Sequence, residues 1–326
     1  MNSKPEDPTP PADGEGVVIR VAGGHCEVAA GDRVWRCELR GRLKMGRRQE
    51  QSPVVAGDRV RFGAVDPLAD PPRGVVEEVR PRRSRVSRQA ARRSGGHIEQ
   101  VLMANLDQVL AVQSVAEPAP QTGFIDRLLM AAERFEVAGV LVLNKIDLAG
   151  PGLDTARWEH FRSLGYTVLH TSIVTGAGLD GLRAVLAGRI SLLLGASGVG
   201  KSSLLNAIEP GLGLRVGGVT ARTGLGRHTT TSTELYRVAD GGWIADSPGI
   251  RGFDPWDVDP LVLRDYFPDF TAVAAGCRFR TCLHREEPGC AVKAAVAAGT
   301  IPPWRLEAYL ALLKDLEDRR GRAHRR

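Results

Sequence analysis

The sequence predicts a multidomain fold in three parts: an N-terminal OB-like β-barrel, a central α/β P-loop domain and a C-terminal metal-binding helical domain. Three observations carry that prediction. Short strand-like runs punctuated by Gly, Asp and Pro fill residues 16–80. From about residue 105 strand and helix patterns alternate, and one apolar strand opens into a glycine-rich loop. Near the C-terminus three cysteines and a histidine crowd into the fourteen residues 277–290. A length of 326 residues exceeds one average domain, while 43% hydrophobic and 25% charged residues are ordinary for a folded soluble chain. No run approaches the roughly 20 apolar residues that a membrane span requires.

Residues 1–15 are acidic and Pro-rich without an apolar run, so they read as a disordered leader and not as a signal peptide. A cytoplasmic location without membrane contact is expected. The barrel, residues 16–80, is expected from GVVIRVA, HCEVAA, RVWRCEL, VVAGDRVRF and GVVEEVR. Cys26 and Cys37 fall within it as small core residues, and His25 and His97 have no companion ligands. Five cysteines in a chain without a secretion signal argue against a disulfide framework. Residues 81–98 read as a basic linker, because Arg80 to Arg93 carries seven arginines and no acid in a chain of net charge +6. That cluster and the basic tail DRRGRAHRR suit RNA phosphates, whose neutralisation releases counterions; a solvated, flexible linker is the plainer alternative.

The central domain is expected over residues 99–259, with strands LDQVLAV, AGVLVLN, YTVLH and SLLLG. Helices are expected over IDRLLMAAERFE and from about 155 to 164 and 179 to 187. SLLLG runs into Gly195-Ala196-Ser197-Gly198-Val199-Gly200-Lys201-Ser202-Ser203, which fills every fixed position of the phosphate-binding loop G-x-x-x-x-G-K-[ST]. Glycines let successive amides point at phosphates, and the following helix places its positive end there. Lys201 would reach the β- and γ-phosphates, and the Ser202 hydroxyl would ligate Mg²⁺.

A phosphate loop does not select a base. Asn144-Lys145-Ile146-Asp147, after an apolar strand, has the guanine-reading pattern N-K-x-D. The Asp147 carboxylate can accept both guanine N1–H and the exocyclic amine, a donor pair that adenine lacks. Thr171-Ser172 stands where a supporting base loop is expected, although Ile173 replaces the usual alanine. Downstream, Asp246-Ser-Pro-Gly249 gives D-x-x-G: Asp246 would hold Mg²⁺ through water and the Gly249 amide would face the γ-phosphate. Between these lie His228, Thr229, Thr230 and Thr231 in a Gly-rich switch segment, with Thr230 the favoured Mg²⁺ ligand among three candidates. The position after D-x-x-G holds Ile250, which cannot orient water as glutamine does, so His228 is the candidate catalytic residue. A group supplied by a bound partner, or no role for His228, stays open. The motif order is base, support, phosphate loop, switch, D-x-x-G: a circularly permuted P-loop GTPase domain.

Cys277-x4-Cys282-x-His284-x5-Cys290 offers three thiolates and an imidazole, a donor set suited to one closed, structural Zn²⁺ site. Arg278, Arg280 and Arg285 beside it are either rRNA contacts or solvated charge. The C-terminal domain is expected over 260–326, helical from about 289.

Permuted order, GASGVGKSS, GRHTTT, DSPG, NKID, NLDQVL and the cysteine cluster together resemble the ribosome small-subunit-dependent GTPase A family (RsgA, also YjeQ), over roughly residues 16–315. The resemblance implies GTP hydrolysis to GDP, stimulated by the small (30S) ribosomal subunit during its late maturation, and supports the four zinc ligands. Small subunit, rRNA, GTP and GDP are the expected partners, and a monomer is expected. Two rivals remain: an RNA-binding assembly factor that uses GTP chiefly as a conformational ligand, and an ATP-using P-loop enzyme.

Overall fold

Strands with one apolar face need that face covered and their edges paired, and closure into a barrel does both. The computed structural model describes residues 13–41, 53–91, 97–120, 123–150, 155–212, 233–246 and 258–323. Strands β1 (Asp13–Ala22), β2 (His25–Ala30), β3 (Arg33–Leu39), β4 (Arg59–Asp66) and β5 (Arg73–Val79) close in the order β1-β2-β3-β5-β4. Only β3 and β5 pair in parallel. Val18, Val28, Val60, Phe62 and Val76 fill the interior, with Trp35 packed on Phe62 at 5.1 Å between ring centroids. Cys26 and Cys37 face one another across β2 and β3, both buried, and burial pushes both thiols up to about 12. They are core residues, as the sequence suggested.

Two expectations in this region differ from the structure. The strand read from Val54 begins instead at Arg59, because Asp58 caps a turn: its Oδ2 accepts the Val55 amide at 2.8 Å. The basic linker contains a strand, β6 (Arg85–Ala91), antiparallel to β7 (His97–Ala104). Val86 and Met103 sit opposite each other and are buried, so this segment has an apolar anchor that its arginines mask in the sequence. Two of those arginines are also committed to carboxylates. Arg82 forms a two-pronged pair with the fully buried Asp58 at 2.8 and 3.0 Å, and Arg80 pairs with Glu15 at 2.5 Å.

The chain divides into two compact units, one running to Leu106 and one starting at Asp107, with residues 234–246 split between them. The second sheet has six strands: β8 (Gln108–Ser114), β9 (Ala138–Asn144), β10 (Thr167–Thr171), β11 (Ile190–Leu194), β12 (Glu234–Val238) and β13 (Gly242–Asp246). Their order is β10-β9-β8-β11-β13-β12, and β10, β9, β8 and β11 run parallel. Every residue of β8 is buried, as a central strand covered on both faces must be. Helices α1 (Phe124–Phe135) and α2 (Thr155–Ser163) cover one face through Ile125, Leu129, Trp158 and Phe161 against Ala111, Leu141 and Leu143. Helices α3 (Leu179–Leu186) and α4 (Lys201–Ile208) cover the other through Leu182, Leu186, Leu204 and Ile208 against Leu110, Val112, Val140 and Val142. The alternation along β8 and β9 sorts these two layers.

Helices α5 (Pro268–Ala274), α6 (Ala291–Ala297) and α7 (Pro303–Ala323) follow. The helical run expected from 289 is broken between α6 and α7, where Gly299 takes φ 75° and Pro302 precedes the next helix. These helices share one apolar cluster with Met130 of α1, built on Phe267, Phe270, Tyr309 and Leu313. Beside it lies a buried ionic triad. Arg305 of α7 binds Asp269 of α5 with two 2.7 Å hydrogen bonds and also bonds Asp126 of α1, and His160 of α2 contacts Asp269 at 3.1 Å. Desolvation opposes ionisation of Asp269, but the Arg305 and His160 hydrogen bonds outweigh it and hold the carboxyl at about 2. Among the described residues no helix is long and apolar enough to cross a membrane.

Candidate functional site

The site forms where strands of a parallel sheet end and helices begin, the general location of ligand crevices in such sheets. β11 ends at Leu194 and α4 starts at Lys201, so Gly195–Gly200 is the connecting loop. Its glycines are sterically required. A Cβ on Gly195 would lie 2.5 Å from the Val112 carbonyl, and one on Gly200, at φ 96°, would lie 2.3 Å from Asn144 Nδ2. Lys201 Nζ donates to the carbonyls of Gly195 and Ala196 at 2.8 and 2.7 Å, arching its ammonium over the loop. Ser202 is buried at the first turn of α4, Ser203 is half-buried, and Ser197 and Gly198 are exposed. No side chain caps α4 at Gly200, so its first-turn amides face the loop's concavity.

Asn144 ends β9 and is buried. Its Nδ2 donates to the Val199 carbonyl at 2.9 Å, and its Oδ1 accepts Thr171 Oγ1 at 3.1 Å. One amide therefore ties three predicted segments together: base motif, phosphate loop and supporting loop. Lys145 takes φ 61°, turning the chain into the short helical turn Ile146–Leu148, and its Nζ donates to the Glu117 carbonyl. Asp147 is exposed, with Oδ1 accepting Ser172 Oγ at 2.5 Å. Ser172 Oγ in turn accepts the amides of Val174 and Thr175 at 3.2 Å, and so holds the carboxylate in a set orientation. The loose match at Ile173 leaves this support intact, because the serine hydroxyl makes the contacts.

The structure thus brings together Asn144, Lys145, Ile146, Asp147, Thr171, Ser172 and the run from Gly195 to Ser203. Asp246 closes β13. His228, Thr229, Thr230, Thr231, Gly249 and Ile250 lie outside the described residues. The sequence reading missed the loop after β8: Glu117 receives Lys145, and Pro118 Cδ would contact a Cβ on Gly198 at 3.7 Å. The Pro-rich run AEPAP was the available signal.

The metal-type cluster is also assembled. One ligand atom from each of Cys277, Cys282, His284 and Cys290 lies within 4.8 Å of the others. His284 Nδ1 is 3.3 Å from Cys290 Sγ and 3.7 Å from Cys277 Sγ. Backbone amides aim at the sulfurs: Ala291 donates to Cys277 at 3.3 Å and Lys293 to Cys290 at 3.4 Å, which makes Cys290 the N-cap of α6. Burial lowers the His284 imidazole, favouring the neutral ligand form, and pushes the Cys282 thiol up to about 12, so that thiol ionises readily only for a cation. Three soft donors and one borderline donor fit a single metal ion.

Comparison with known proteins agrees with this geometry. Residues 79–256 match the model of the RsgA GTPase family, and residues 15–67 match that of the RsgA N-terminal domain. The chain is similar to the small ribosomal subunit biogenesis GTPase RsgA of Moorella thermoacetica, 42% identical over 93% of this chain and 97% of the relative. It is 40% identical to the protein of the same name from Gemmatimonas aurantiaca, over 93% and 98% of the two chains. Among solved structures, YjeQ from Thermotoga maritima superposes with a TM-score of 0.70 at 33% identity, over 93% of this chain and 98% of that one. YloQ, described as a circularly permuted GTPase, also gives 0.70, at 28% identity over 94% and 96%.

Proposed function

We infer what this protein does from its kinship, for the chain belongs to the RsgA GTPase family. It hydrolyses GTP to GDP and phosphate, and it uses that switch in the biogenesis of the small (30S) ribosomal subunit, the role named for its relatives. The observation that supports the reading most directly is the 2.9 Å hydrogen bond from Asn144 to the Val199 carbonyl, which joins base motif and phosphate loop despite their inverted order.

In this reading Asp147, held by Ser172, accepts the two guanine donors. The amides of Gly195–Gly200 and Lys201 gather charge from the phosphates, and Lys201 leaves its loop carbonyls to do so. Ser202, Thr230 and Asp246 are the residues that would hold Mg²⁺, and the Gly249 amide would meet the γ-phosphate. Bound Mg²⁺ neutralises charge on the β- and γ-phosphate oxygens. His228 orients the attacking water; its part, like those of Thr230 and Gly249, rests on the sequence pattern alone. Cys277, Cys282, His284 and Cys290 hold one structural Zn²⁺, a donor set that leaves no open position for catalysis. The barrel and the metal loop bind rRNA, and the protein works as a cytoplasmic monomer. The organisation is a barrel at 16–80, a GTPase domain at 99–259 and a zinc-binding domain at 260–326.

The test is GTP turnover with and without purified small subunits. Stimulation is expected; its absence would favour an assembly factor for which GTP is only a conformational ligand. Competition between GTP and ATP for binding checks the base assignment, and preference for ATP would remove it.

A further inference from the structure

We propose that Phe279, at the tip of the metal loop, is a stacking platform for an unpaired RNA base, with Arg278 and Arg280 neutralising the phosphates on either side. This rests on the reading of small-subunit RNA as partner and makes it specific.

The segment Arg278-Phe279-Arg280-Thr281 lies between two metal-type ligands, Cys277 and Cys282, and all four of its residues are exposed. Phe279 leaves 42% of its surface in water, and among the described residues it is the one aromatic ring in the set of exposed large hydrophobics, the others being aliphatic. Its support is rigid. The Arg278 amide donates to the Gly289 carbonyl at 3.0 Å and the Cys282 amide to the Phe279 carbonyl at 3.2 Å. Gly289 takes φ 72°, where an added Cβ would press on Arg278 Cβ at 3.0 Å. A ring presented on such a frame loses little freedom on binding, so contact with a flat partner is not offset by ordering.

Charge selects the partner. The Arg278 guanidinium stands 5.5 Å from the Phe279 ring centroid, and neither it nor Arg280 has a carboxylate partner among the described residues. The acids nearby are otherwise engaged or turned outward: Glu317 pairs with Arg285, Glu287 accepts the amides of Leu283 and Arg285 at 2.7 Å, and Glu286 is exposed. An exposed ring with Arg278 over one face and Arg280 next to it in the chain matches a single strand, which offers a base plane to the other face and a phosphate before and after it. A duplex has no free base plane, and an apolar protein pocket gains nothing from the flanking arginines.

The experiment uses the full-length, metal-loaded chain and the substitutions Phe279→Ala, Phe279→Leu, Phe279→Tyr and Arg280→Gln, each checked for retained metal and unchanged basal GTP turnover. Binding is measured to purified small subunits in a non-hydrolysable GTP analogue, and to a short fluorescent single-stranded oligoribonucleotide over a salt series. Phe279→Ala and Phe279→Leu are expected to weaken both by about tenfold or more, with Phe279→Tyr close to wild type. Arg280→Gln is expected to flatten the log–log salt dependence on the oligonucleotide by about 0.7, whereas the Phe279 variants leave that slope alone. Leucine binding as well as phenylalanine, or a loss on subunits with none on the oligonucleotide, would assign the ring to a protein surface and overturn the proposal. If the wild-type chain bound no subunits, the ribosomal reading would fail instead, and the oligonucleotide arm would still decide the stacking.

Discussion

The phosphate loop and the metal loop are both short connections that end at the start of a helix, yet they are built from opposite materials. Gly195–Gly200 takes its shape from backbone: it is pinned by Val112 and Asn144 and bounded by β11 and α4. Cys277–Cys290 takes its shape from side chains converging on one point, with α6 itself capped by the Cys290 sulfur. The first loop is preset by the packed sheet and waits for its ligand. The second takes its shape from four side chains that could hold one metal ion. Loss of ligand should therefore leave the nucleotide pocket folded and loosen the metal region.

Replacing Cys282 by Ala is the strongest way to break that contrast. Structural zinc sites in small peptides contribute about 10–16 kcal/mol of folding free energy, so this variant should lose its metal and the hydrogen-exchange protection of α5 and α6. Strands β8, β9 and β11 should keep theirs, and affinity for GDP should stay within a few-fold of wild type. Metal content, exchange mass spectrometry and nucleotide titration check the three statements. Equal loss of protection in the sheet would show that the two loops stand or fall together.

Base reading is the part of the nucleotide site that would depend most on side-chain chemistry, and Asp147→Asn tests it. If Asp147 reads guanine, the change turns one of its two acceptor oxygens into an NH2 that meets the exocyclic amine donor to donor, and takes the charge from the remaining bond, where each charge-assisted bond contributes about 1.5–3 kcal/mol. GTP affinity should fall by about a hundredfold or more. Xanthosine triphosphate, whose base carries a carbonyl in place of the amine, should bind better than GTP because the new amide can donate to it. Continued preference for GTP would mean that Asp147 does not read the base.

The buried triad asks whether the two regions melt separately. Arg305→Met leaves Asp126 and Asp269 buried without their cation, and breaking a buried pair from one side costs about 3–5 kcal/mol. Because the triad joins α1, α5 and α7, calorimetry should give one transition at a lower temperature, with metal release and loss of nucleotide binding coincident. Two separated transitions would show that the C-terminal helices are an independent folding unit.

Legibility in the sequence follows the same division. The strand-to-helix loop at 195–200, the turn after β9 and the grouping of Cys277, Cys282, His284 and Cys290 were legible because each is a local pattern with fixed spacing and a chemical reason for every position. The barrel was readable from its short alternating strands. Strand β6 was not, since Arg88, Arg92 and Arg93 make the segment look like solvated linker, while the buried Val86 is one valine among polar neighbours. Nor was the pairing of Arg82 with Asp58, or the triad: Asp126 and Arg305 are 179 positions apart, and nothing local marks either as buried. Thr171 and Ser172 fall between: their position after a strand is a local signal, but the hydroxyl contacts that bring them to Asn144 and Asp147 have none.

The smallest effect tests the junction itself. The Asn144 amide hydrogen-bonds the phosphate loop and the supporting loop together, through Val199 and Thr171. Asn144→Ala removes both bonds, strands the Val199 carbonyl in a buried setting and leaves Thr171 Oγ1 with only its 3.4 Å contact to the Leu143 carbonyl, at a cost of about 1–3 kcal/mol. The sheet is held by apolar packing on both faces, so the fold should survive with a modest drop in melting temperature. The loss should appear instead in nucleotide binding, and for GTP and inorganic triphosphate alike, because the amide shapes the phosphate loop as well as the base side. A loss confined to GTP would assign Asn144 to base reading alone, and the backbone-preset view of the phosphate loop would then need no help from its neighbour.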